Sequence, residues 1–162
     1  MKKIIRVFLS MVLCMCILGM NCYAAKIGDP LIVDGSRLLR TNYAQSWDDN
    51  AASTNGINLS TGGCSISKVN SYVATVHGYT DSYHIADTVY VGVYMDRYNP
   101  DDGSWSTVFQ DSYTANNTVH AGYTKDVFVK KGYYYRVRAA HIVEKDGLRE
   151  GNTSYTDGIL FD

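Results

Sequence analysis

The sequence predicts an all-β chain built as a single antiparallel β-sandwich of about seven strands, and three observations lead there. Short runs rich in Val, Ile, Thr and Tyr alternate apolar and polar side chains with a period of two, the pleat of a half-buried strand. Clusters of Gly, Asn, Asp and Pro separate those runs at sandwich-like intervals. Residues 129–139 set Val129, Gly132, Tyr135, Val137 and Ala139 in a spacing that carries a tyrosine to the start of a strand just past a corner.

The elements follow in order. Residues 1–24 read as a signal peptide: Lys2, Lys3 and Arg6 precede an apolar stretch over 7–20 broken only by Ser10, and Cys22, Tyr23 and Ala24 form a small-residue exit. A run of fourteen residues falls short of the ~20 that a membrane-spanning helix needs, so no membrane span is expected after cleavage. Residues 25–63 read as an irregular leader, with turn chemistry at Asp34-Gly35-Ser36 and Ser60-Thr61-Gly62-Gly63 and one short strand at 36–40. The sandwich domain spans 64–162, with strands expected at 64–69, 72–78, 88–98, 104–113, 118–129, 133–143 and 153–161. Period two sends Val89, Val91, Val93 and Met95 inward on the third strand and Tyr135, Val137, Ala139 and His141 inward on the sixth. Trp105, Thr107, Phe109, Ile159 and Phe161 complete the expected inner layer. In immunoglobulin and fibronectin type III sandwiches a tyrosine near the start of strand F bonds back to the corner before it. Tyr135 is therefore expected to be buried with its hydroxyl on backbone, and the fold to be of that kind.

Composition narrows the function. After cleavage all 16 acids remain against 12 of the 15 bases, a formal net charge of −4, so the basic footprint of a nucleic-acid binder is missing. Cys14, Cys16 and Cys22 leave with the signal peptide and Cys64 is left without an intramolecular partner, which excludes a disulfide-stapled miniprotein. A secreted, extracellular chain is expected, held together by apolar burial.

The chemistry-bearing residues give no catalytic set. Cys64 with His141 would make a nucleophile and base, yet Cys64 has no helix N-terminus to lower its pKa, and a lone cysteine reads as a small buried hydrophobe. His77, His84, His120 and His141 show no metal-ligand spacing. Residues 96–103 miss the register of a calcium loop and read as a turn. No catalytic residue, metal or cofactor is expected.

The order Asp34-Gly35-Ser36, Cys64-Ser65-Ile66-Ser67, the run at residues 89–98, Gly103-Ser104-Trp105, the Gly-Tyr-Tyr-Tyr-Arg-Val-Arg run at 132–138 and Ser154-Tyr155-Thr156-Asp157-Gly158-Ile159 resembles a family of small secreted proteins of Gram-positive bacteria that has no assigned function. The resemblance extends from about Asp34 to the C-terminus. It implies an exported protein with this sandwich core and supplies no activity.

Aromatic content then points to a surface. Thirteen tyrosines remain after cleavage, and if the third and sixth strands are neighbours, Tyr90, Tyr94, Tyr134, Arg136 and Arg138 lie together on the outer face. Tyr and Arg are enriched at interface hot spots. The expected function is that of a non-catalytic binding module for a protein or a cell-surface polymer, of open oligomeric state. The alternative is a secreted effector or toxin-like protein, or a small hydrolase.

Overall fold

Residues 79–87, expected to loop between two strands, instead stay in one strand: Thr80, Ser82 and Ala86 are buried, and Tyr83, His84 and Ile85 face solvent where the register against the following strand shifts. The two expected strands therefore fuse. The computed structural model describes residues 32–46 and 56–162, and the expected signal peptide lies outside them. Its strands are β1 Ile32–Val33, β2 Ser36–Leu39, β3 Tyr43–Gln45, β4 Leu59–Asn70, β5 Val73–Asn99, β6 Ser104–Phe128, β7 Tyr133–Lys145, β8 Leu148–Tyr155 and β9 Gly158–Phe161.

Among the described residues the chain is all-β without helix, and the strands form one curled, mixed sheet, a half-barrel. Its order is β1-β2-β9-β7-β5-β4-β3, with β6 on β5 and β8 on β7. This replaces the seven-strand antiparallel sandwich in two respects. The second and third expected strands merge into β5 and the fourth and fifth into β6, the two arms of one long hairpin, and β2 joins β9 in parallel. β5 pairs with β4 over Val73 to Ser82 and with β7 over Thr88 to Arg97. Between those partners its register against β6 jumps from Asp81–His120 to Ala86–Thr118. A bulge of that kind bends and twists a strand, and here it turns the sheet so that β4 faces β7 and β8.

The core fills the concave side. Val89, Val91, Val93 and Met95 of β5 meet Tyr135, Val137, Ala139 and Val143 of β7, with Ile66 and Leu59 of β4 and Ile159 and Phe161 of β9. Each full burial of such a side chain stabilises by about 1.5–3 kcal/mol. Tyr135 packs edge-on against Phe161 at 5.4 Å. Its hydroxyl accepts the Lys130 N–H at 2.9 Å and donates to the Lys130 carbonyl at 3.3 Å. Gly132, at φ +90°, makes the corner and donates its N–H to Phe161.

Two expectations about placement change. Trp105 and Thr107 lie on the outer face, because a register shift between Met95 and Asp96 inserts one residue into β6 and reverses the pleat; only Phe109 packs on the core. The short strand expected at 36–40 is β2, and around it Ile32–Val33, Tyr43–Gln45 and residues 59–63, expected as irregular leader, also pair into the sheet. Asp34 and Gly35, both at positive φ, form the two-residue turn of the β1–β2 hairpin. That hairpin is fastened by Arg37, whose Nη2 lies 2.7 Å from Asp157, and by the Ser36 hydroxyl donating to the Thr156 carbonyl at 2.8 Å.

Candidate functional site

The pleat does send Tyr90, Tyr94, Arg136 and Arg138 to one face of neighbouring strands, in the register Tyr94–Arg138 and Asp96–Arg136. What the pattern could not tell is that the β1–β2 hairpin lies over part of that face. Arg136 is buried, at 4% side-chain exposure, and so is Asp96, at 2%. Arg136 donates from Nε to Asp96 at 3.2 Å, from Nη1 to the Ser36 hydroxyl at 3.0 Å and the Asp34 carbonyl at 3.1 Å, and from Nη2 to the Asp34 carboxylate at 2.9 Å. Its guanidinium sits 4.6 Å from the centre of the Trp105 ring. The expected exposed hot spot is thus a clamp between the hairpin and the sheet.

Arg138 is the exposed member of the pair, at 41% side-chain exposure. Its Nε and Nη2 form a fork on the two Asp96 oxygens at 2.6 and 3.1 Å, and Nη2 also reaches the Thr107 hydroxyl at 3.2 Å. Burial pushes the Asp96 carboxyl up, but the hydrogen bonds from Arg138 and Thr107 and the charges of both arginines outweigh it and hold it below its ordinary value. The same hydrogen bond raises Arg138.

Three hollows adjoin Arg138. One of about 480 Å³ lies between Asp34, Ser104, Trp105 and the two arginines. One of about 260 Å³ lies against Gly35 and Tyr155. A third of about 250 Å³ runs between Tyr94, Ala140, Thr153 and Tyr155. The Tyr94 ring stands 5.4 Å from the Arg138 guanidinium. Burial and the neighbouring Tyr90 raise the Tyr94 hydroxyl above its ordinary pKa, and Tyr90 itself folds over Gly92. Tyr134 is half-buried beside Leu160 and lines none of these hollows. The sequence reading missed Asp34, Trp105 and Tyr155; the one available signal was Asp96, an acid on a Val- and Tyr-rich strand opposite an arginine-bearing one.

Cys64 and His141 do come together, through Ser154. The His141 Nε2 lies 2.8 Å from the Ser154 hydroxyl, which lies 3.3 Å from Cys64 Sγ, and the His141 Nδ1 lies 3.0 Å from the Thr80 hydroxyl. Thr80 donates to the Tyr90 carbonyl at 2.9 Å. It therefore accepts from Nδ1–H, and the bare Nε2 faces the Ser154 hydroxyl, whose single proton is shared between two acceptors, Nε2 and Cys64 Sγ. All four side chains are buried. Burial pushes the Cys64 thiol up to about 12 and His141 down to about 4, so both are neutral at pH 7. Among the described residues no three or more His, Cys, Asp or Glu side chains converge to hold a metal ion, and no helix is long and apolar enough to cross a membrane.

No curated protein and no solved structure matches the chain. A family model does, over residues 40–158, and the chain belongs to that family, a family of unknown function (DUF6147).

Proposed function

We propose that this protein is a non-catalytic interaction module that works outside the cell and holds a protein or a cell-surface polymer in the groove around Arg138. The observation that carries the reading is the meeting of three hollows at one half-exposed guanidinium. Asp96 fixes that guanidinium from behind, and Tyr94 and Tyr155 flank it. A pre-positioned arginine between aromatic walls loses little freedom on binding, which is the economy of a hot spot.

Immobilised protein incubated with envelope material of the producing cell tests it. Tyr94→Ala and Tyr155→Ala are each expected to weaken capture by ~2 kcal/mol or more while folding is retained. Capture equal to that of the parent in both variants contradicts the reading. The alternative, a small hydrolase, rests on the 2.8 Å bond between Ser154 and His141. Labelling of Ser154 by a fluorophosphonate, abolished in His141→Gln, would favour it.

A further inference from the structure

The outer face of the other half of the sheet carries a hollow of about 350 Å³ between β3, β4 and the first part of β5. Its working side chains are Tyr43, Gln45, Thr61, Ser65, His77 and Tyr79. Among the described residues no Asp, Glu, Lys or Arg lines it, whereas the hollow at Arg136 and Arg138 is walled by two acids and these two arginines. A carboxylate or phosphate entering here would lose hydration without meeting a countercharge. A neutral, hydroxyl-rich ligand meets no such cost.

Two further observations narrow the ligand. Register puts Ser65 opposite His77 and Gly63 opposite Tyr79, so His77 and Tyr79 are successive outward positions on β5. Their rings are stacked, 6.0 Å between centres and 27° between planes, and together make one aromatic platform. The platform is fixed in advance. The His77 Nδ1 lies 2.8 Å from the Thr124 hydroxyl, and Tyr79 lies across Gly63, where a Cβ would come within 2.9 Å of the Tyr79 Cε1. Beside the platform Tyr43 donates its hydroxyl to the Gln45 side-chain oxygen at 2.9 Å. That contact orients the Gln45 amide and leaves its nitrogen as a donor.

We propose that this hollow binds a neutral sugar ring of a glycan. The apolar C–H face of a pyranose lies on His77 and Tyr79, and its hydroxyls meet Gln45, Thr61 and Ser65. A rigid aromatic floor with a few polar groups at the rim is what a small-ligand site requires. The site shares no residue with the Arg138 groove, so either can fail alone.

The test is a titration of the isotope-labelled protein with maltohexaose, cellohexaose and mannohexaose, and with hexagalacturonate as the anionic control, followed by amide shifts. At least one neutral hexaose is expected to saturate, with the shifts confined to residues 43–46, 61–65 and 77–79. Tyr79→Ala and Gln45→Ala are each expected to weaken it about tenfold or more, and Tyr94→Ala to leave it unchanged. Gln45 is exposed, so its variant carries the test if Tyr79→Ala does not fold. No saturation by any neutral hexaose at about 10 mM, tighter binding of hexagalacturonate, or parental binding by the folded variants would overturn the proposal.

Discussion

Arg136 holds a positive charge on a side chain only 4% exposed, and its stability consequence follows from what remains when it is removed. Arg136→Ala leaves the buried Asp96 with Arg138 as its one cation, takes the guanidinium from the Asp34 carboxylate and leaves the Ser36 hydroxyl with Thr156 only. Breaking such a pair from one side costs about 3–5 kcal/mol; with Arg138 still present the lower end is expected, read from chemical denaturation. The surface reading of the sequence would have put the cost of this change below ~0.5 kcal/mol, so the experiment separates the two. Tyr135→Phe removes the hydroxyl that bonds both backbone groups of Lys130 and is expected to cost about 1–3 kcal/mol. A melt identical to the parent would mean the corner does not depend on that hydroxyl.

At the scale of the element, the pleat was legible and the partners were not. Alternation in β5 and β7 placed Val91, Val93, Val137 and Ala139 inward because a residue's face depends only on its own strand. Trp105 and Thr107 went to the wrong face because the bulge opposite Asp96 is a property of two strands together. The β7–β8 hairpin carried a readable signal in Asp146-Gly147, whose positive φ angles form a two-residue turn. The expected strand at 153–161 is really β8 and β9, broken at Thr156 and Asp157, where the Thr156 hydroxyl takes the Val137 N–H at 3.0 Å. Nothing in the pattern marked the hairpin of β1 and β2 as a cover for Arg136, since its attachment is a set of contacts more than 100 residues apart along the chain. β4 also needs a glycine where it crosses β7. A Cβ at Gly62 would overlap the Cγ and Nδ1 of His141. Gly62→Ala is expected to destabilise by about 1–3 kcal/mol, with the melting temperature as the readout and an unchanged melt as the contrary result.

The whole molecule inherits a pH dependence from its buried network. His141 titrates near 4 in the folded chain because burial disfavours its charge, and near 6.5 when unfolded. Between those values the unfolded chain binds the extra proton, so stability is complete above about pH 6.5 and falls by roughly 3 kcal/mol as pH drops to 4. Asp96, held below its ordinary value, adds a further loss only beneath about pH 4. Denaturation midpoints across pH 4 to 7 are expected to slope in the parent and to flatten in His141→Gln, and a flat parental profile would contradict the assignment. The groove at Arg138 and the sugar hollow occupy the outer faces of the two halves of one bent sheet, and the sequence showed the first in part and the second not at all. Tyr94 and Arg138 could be paired from the pleat, whereas Tyr43 and Gln45 join His77 only through the pairing of β3 with β4 and β4 with β5. Site-specific photo-crosslinking on the producing cell distinguishes partners held at the proposed Arg138 groove from partners held elsewhere. A benzophenone side chain at position 94 is expected to join the protein to a defined partner that the same probe at the exposed positions Tyr72 and Val119 does not reach. Crosslinks from 72 or 119 with none from 94 would contradict the proposed groove.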